Sequence, residues 1–142
     1  MAEGLATLVR VNEWAVDNKR RELGVLLREL NELVDKLSYL EHEVVVEQDT
    51  ATNDPEEAGF LYGVYAEGVI QRRQNFDAAI RDKEAEINVA RESLNEAYRT
   101  LKKFEVIRDN RDAREQKERD HIDQTELNDV GLETHWRYNS KQ

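Results

Sequence analysis

Residues 23–40 read LGVLLRELNELVDKLSYL, and the spacing of leucine in that stretch decides the fold. Leu23, Leu30 and Leu37 stand seven apart, with Leu26, Leu33 and Leu40 three after each. Apolar residues repeating every 3.5 positions on average form a narrow stripe that one helix buries against another. The stripe extends outward in both directions. Val9 and Val16 continue the first row backwards and Val44 continues it forwards, while Leu5 belongs to the second. Asn12 and Lys19 interrupt the second row, which weakens that end of the stripe and can help to fix register.

The pattern predicts a first helix over about residues 5–48, free of proline and rich in Leu, Glu, Arg and Lys. Gly24 lies inside it at a cost of about 1 kcal/mol relative to alanine, which leucine burial outweighs. Val44-Val45-Val46 is β-branched and lowers helix propensity, so fraying is expected there. A polar turn is expected over about 49–54. Asp54 suits an N-cap, Pro55 the first helical position and Glu57 the third position of a capping box, so a second helix should start at 55.

That second helix should run to about residue 120. Gly59, Gly63 and Gly68 soften its first turns, and either a close helix–helix approach or a hinge accounts for them. A second ladder follows, with Ile80, Ile87, Leu94 and Leu101 in one row and Val69, Phe76, Ala90, Ala97 and Phe104 in the other. Lys83 is its one charged interruption. A short connection forces an antiparallel return. The expected fold class is therefore all-α, a single-domain antiparallel two-helix coiled-coil hairpin with a longer second helix. Folding about residue 51 would set Leu40 near Tyr62 or Tyr65, Leu23 near Ala79 or Ile80, and Leu5 near Ala97 or Tyr98.

Beyond Ile107 the apolar ladder stops. Arg108 to Asp120 interleaves acids and bases three or four apart, and such pairs support a lone helix at about 0.2–0.5 kcal/mol each. An overhanging end over 108–126 is expected, either as a solvated or fraying extension or as a pin that enters a partner. Residues 127–142 carry Leu127, Val130, Leu132 and Trp136 with no internal core to receive them; a flexible tail is expected, a docking segment being the alternative.

Composition narrows the function classes. Charged residues make up 37% of the 142 and aromatics 7%, a balance that suits long helices better than a globule. The net charge of −10, with no long basic run, opposes binding to nucleic acid or anionic lipid. An RNA-gripping arm would want a basic tip, whereas Asp49, Asp54, Glu56 and Glu57 make this one acidic. There is no cysteine, and Met1-Ala2-Glu3-Gly4 lacks the basic, apolar pattern of a leader, so a soluble protein of a reducing compartment is expected. His42, His121 and His135 are far apart and lack metal-ligand spacing, and no glycine-rich loop offers a phosphate cradle. The expectation is no enzyme, no cofactor and no small-molecule substrate.

Several stretches together resemble the FliJ family of bacterial flagellar type III protein export. They are Leu5-Ala6-Thr7-Leu8 before a long first helix, Tyr62-x-x-Tyr65-x-x-x-Val69 at the return, the ladder from Ile80 to Leu101, Lys102-Lys103-Phe104-Glu105, and the charged run ending in Leu127-Asn128-Asp129. The resemblance implies a non-enzymatic stalk similar to the central stalk of rotary ATP synthases. Its paired termini would enter the hexameric ring of the flagellar export ATPase and promote its assembly and activity, with Leu5, Leu8, Val9, Arg108, Arg111 and Arg114 as contact candidates. It would also touch the cytoplasmic region of the export-gate membrane protein through Tyr62, Tyr65, Val69, Arg72 and Phe76, and it would handle export chaperones. The family pattern has a small residue where Arg72 stands and a polar one where Phe76 stands. The implied location is cytoplasmic, peripheral to the inner face of the cell membrane through partners. The alternative is a passive adaptor or chaperone for export substrates and their chaperones.

Overall fold

A computed structural model describes residues 2–53 and 58–140. Two helices account for all of them, α1 (Ala2–Asn53) and α2 (Ala58–Ser140). The fold is an all-α helical hairpin whose second helix, at 83 residues, outruns the first, at 52. It divides into two compact units, Trp14–Tyr98 and a terminal unit of Met1–Glu13 with Arg99–Gln142.

In the Trp14–Tyr98 unit the ladders face each other. Val16, Leu40, Val69 and Ile87 are buried, and Leu23, Leu26, Leu30, Leu33, Leu37, Phe76, Ile80 and Leu94 are half-buried. Partial burial is what a pair of helices permits: each seam residue is covered by the facing helix, and among the described residues no third element closes the flank. Off the stripe, Trp14, Tyr39, Val64 and Val89 are exposed. In the terminal unit Val9 is buried, while Leu5, Leu101 and Phe104 are half-buried. From Asp112 to Ser140 every side chain is exposed.

The boundaries and the register differ from the expectation. α1 continues through residues expected to form the turn, as far as Asn53. Val44-Val45-Val46 is helical, and the Thr50 hydroxyl donates to the Val46 carbonyl at 3.1 Å, tying the last turns to the helix. The capping box at Asp54, Pro55 and Glu57 lies outside the described residues. α2 continues through the expected tail to Ser140. Its last turns carry local pairs that need no core: Thr125 Oγ1 to the His121 carbonyl at 2.9 Å, Thr134 Oγ1 to the Val130 carbonyl at 2.9 Å, and Arg137 to Glu133 at 2.8 Å.

Moving the turn has a doubled effect on the register. When the reversal shifts by a few residues, each residue of α1 meets a residue of α2 displaced by twice that amount. α1 runs to Asn53 and α2 begins at Ala58, both later than a reversal about residue 51 allows. Leu5 accordingly shares a groove with Ile107, farther along α2 than the Ala97 or Tyr98 expected; Leu33 shares one with Ala79, and Tyr39 shares one with Arg72 and Phe76. A Cβ added at Gly63 or Gly68 would meet nothing within 4 Å, so close approach of a neighbouring helix does not explain either residue.

Candidate interaction surfaces

The first surface belongs to the Trp14–Tyr98 unit. Tyr62 and Tyr65, three apart on α2, bring their ring centroids to 6.3 Å at a 43° tilt. Val69, one turn on, is turned into the seam at 6% exposure, which is core packing. The Tyr65 hydroxyl is shielded from solvent and has no hydrogen-bond partner among the described residues. Burial pushes its pKa up, with Glu43 and Glu47 adding to the rise and Arg72 opposing it. Further along, exposed Arg72 and half-buried Phe76 line a groove of about 490 Å³ with Asp35, Lys36 and Tyr39 of α1. Arg72 and Phe76 are therefore brought together, whereas Tyr62, Tyr65 and Val69 are not part of that groove. Tyr39, 71% exposed, is the residue that reading along the stripe misses. Its signal was an aromatic ring standing off the heptad rows.

The same unit carries polar links across its seam, among them Lys83 with Glu29 and Arg20 with Tyr98. Lys83 Nζ reaches Glu29 at 2.5 Å and Glu86 at 3.1 Å, and its side chain is 20% exposed. Arg20 donates from Nε to the Tyr98 hydroxyl at 2.6 Å, donates also from Nη2, and lays its guanidinium 5.0 Å from the centre of the Tyr98 ring. The hydrogen bond to Glu29 raises the Lys83 pKa, with the bond to Glu86 contributing as well.

Both shifted groups, Lys83 and Tyr65, have folded pKa values above their ordinary 10.5 and 10.0. Such groups contribute stability that is complete below the unfolded pKa and is lost as pH rises through the folded one. Denaturant melts are therefore expected to show a midpoint that falls above about pH 10. In a chain carrying Lys83→Met and Tyr65→Phe that alkaline loss should be smaller. An equal loss in the two chains would show that neither group is linked to folding.

The second surface lies wholly within the terminal unit. Leu5, Leu8, Ile107, Arg111, Arg114 and Glu115, together with Gly4 and Glu118, line a groove of about 560 Å³. Leu8 and Ile107 are 44% and 43% exposed, so its apolar floor is open. Arg111 pairs with Glu115 at 3.5 Å. Of the residues singled out for a ring contact, Leu5, Leu8, Arg111 and Arg114 come together here. Val9 does not, being 2% exposed in the interior, and neither does Arg108, which pairs with Asp109 at 3.3 Å. Ile107, Glu115 and Glu118 were missed, because which residues of α2 flank Leu5 depends on the register.

Beyond this groove α2 exposes Ile122, Leu127, Val130, Leu132 and Trp136. Ile122 and Trp136 fall on the row of Ile80, Ile87, Leu94 and Leu101, and Leu132 on that of Phe76 and Phe104. Apolar residues thus return to the seam rows from Ile122 onward, alternating there with polar Thr125, Asp129 and Asn139. Among the described residues no group of acidic or histidine side chains is arranged to hold a metal ion, and no helix is long and apolar enough to cross a membrane.

This arrangement of two unequal helices is accompanied by similarity to known proteins. The flagellar FliJ proteins of two Caulobacter vibrioides strains each match at 27% identity over 107 residues, covering 75% of this chain and 76% of their own. The similarity supports the FliJ family. The matched share is long enough that it takes in parts of both helices, as the FliJ resemblance of the sequence motifs requires. No protein-family model matches the chain. No solved structure matches it either.

Proposed function

We propose that the chain is a non-catalytic coiled-coil component of the flagellar protein export apparatus, acting as a stalk for the export ATPase. In this reading the terminal unit engages the ATPase hexamer and promotes its assembly and activity. Leu5, Leu8, Arg111 and Arg114 form the first contact, and the exposed continuation of α2 reaches further in. The Tyr39, Arg72 and Phe76 groove is the side offered to the cytoplasmic region of the export-gate membrane protein. Export chaperones would be handled by the same hairpin, and any membrane association would come through partners on the inner face of the cell membrane.

One observation carries this reading. The last 29 residues of α2 described, Asp112 to Ser140, form helix with every side chain exposed, and Ile122, Leu132 and Trp136 return to seam positions within them, alternating with polar Thr125, Asp129 and Asn139. A helix that keeps an apolar stripe without burying it is built to bury it elsewhere. The similarity to flagellar FliJ proteins supplies the system in which to look.

The test is stimulation of the cognate flagellar export ATPase by purified full-length chain, compared with a chain ending at Ile107. The full chain is expected to raise ATP hydrolysis and the truncated one to lose most of that effect. Equal stimulation by the two would sink the stalk reading. The exposed Leu127, Val130, Leu132 and Trp136 suit a second reading, a passive adaptor that clasps export substrates or their chaperones. Capture of export chaperones with no effect on the ATPase would favour it.

A further inference from the structure

A heptad seam has a weakness: after seven residues it looks like itself. Leu23, Leu30 and Leu37 on α1 repeat at the same spacing as Ile80, Ile87 and Leu94 on α2. Sliding one helix past the other by one heptad therefore brings apolar rows together again, and apolar packing alone distinguishes the registers poorly. What distinguishes them in the Trp14–Tyr98 unit is polar. Lys83 binds Glu29, and Arg20 binds Tyr98.

Each link can be followed through a slip. If α2 slides toward the turn by seven residues, Lys83 leaves Glu29 and comes to Lys36, a like charge. Lys36 already lines the groove that holds Lys83 and Glu29, so the clash is local. If α2 slides the other way, Lys83 comes to Glu22 and keeps an acidic partner, so this link offers no resistance. The second link covers that direction. There the place of Tyr98 is taken by Arg91, and the Arg20 guanidinium meets another guanidinium. We infer that the Lys83–Glu29 and Arg20–Tyr98 links form a two-way register lock, each barring a one-heptad slip in one direction through the like charge waiting seven residues on. Lys83 stands on a seam row and Glu29, Arg20 and Tyr98 flank one; a polar group in the seam and charged pairs beside it are known devices for specifying register and orientation.

The test uses the full chain, which contains no cysteine, so nitroxide labels can be placed at Asn31→Cys and Asn95→Cys, both exposed. In the observed register these labels are offset along the helix axis, and a slip of seven residues changes that offset by about 10 Å. The parent is expected to give one distance by pulsed electron–electron resonance. Exchanging Glu29→Lys with Lys36→Glu turns the first link into an attraction for the slipped register, and the distance should shorten by about 10 Å. Combining Tyr98→Arg with Arg91→Glu does the same for the second link, and the distance should lengthen by about 10 Å. Unchanged distances in both exchanged chains, with helical circular dichroism retained, overturn the inference. Lys83→Met supplies the milder variant, since it adds an apolar contact to the seam. It should add a population at the shorter distance, and a distribution as narrow as the parent's also overturns the lock.

Discussion

Replacing Leu40 by alanine is expected to cost the hairpin about 2–5 kcal/mol of folding stability, a large share of what a domain possesses. Leu40 is 1% exposed, the most completely enclosed side chain described. The loss combines the transfer of its methylenes to water with a cavity that two long helices close only in part. A drop of about 3 kcal/mol should lower the melting temperature by roughly 10 °C in a chain of this size. Val89, 69% exposed on the opposite face, is the control, and Val89→Ala should fall within about 0.5 kcal/mol of the parent. Thermal and urea melts of both variants decide the matter. A Leu40→Ala cost as small as that of Val89→Ala would mean the seam is loosely packed rather than interlocked.

The second large effect concerns the exposed length of α2. Ending the chain at Ile107 should remove about a quarter of the helical circular dichroism at low temperature, because residues 108–140 are a substantial part of the two helices. It should nevertheless leave the main cooperative melt within a few degrees of the parent. Those residues are held by backbone bonds and local pairs such as Arg111–Glu115 at 3.5 Å and Gln116–Asp120 at 3.0 Å, which contribute about 0.2–0.5 kcal/mol apiece. Such a helix melts gradually. The parent should therefore show a sloping loss of signal before its transition, and the shortened chain a flat baseline. If truncation instead lowers the main transition steeply, the overhang is part of the cooperative core.

The heptad rows made the helical hairpin and its unequal arms legible in the sequence, because a period of 3.5 has only one structural use. What the rows do not carry is phase between the helices. A reversal about residue 51 set Leu5 near Ala97 or Tyr98, and the later helix ends put Leu5 in a groove with Ile107 instead. The groove residues inherit that ambiguity: of the residues singled out for a ring contact, Leu5, Leu8, Arg111 and Arg114 share the groove and Val9 and Arg108 do not, while Ile107, Glu115 and Glu118 line it unforeseen. Tyr39 went unseen for another reason: it stands off the rows, and a stripe-based reading ranks such a residue as surface. The helical continuation to Ser140 was obscured by exposed apolar residues, which suggested a loose tail although each turn there has its own local bonds.

Gly63 and Gly68 have open space where a side chain would be, so no neighbour demands glycine at either position. Each gives up about 1 kcal/mol of helical propensity relative to alanine within a short stretch of α2. Under an axial load or a sideways push, compliance would concentrate in those few residues. The glycine-free length from Val69 to Val130 would stay stiffer and pass the force on.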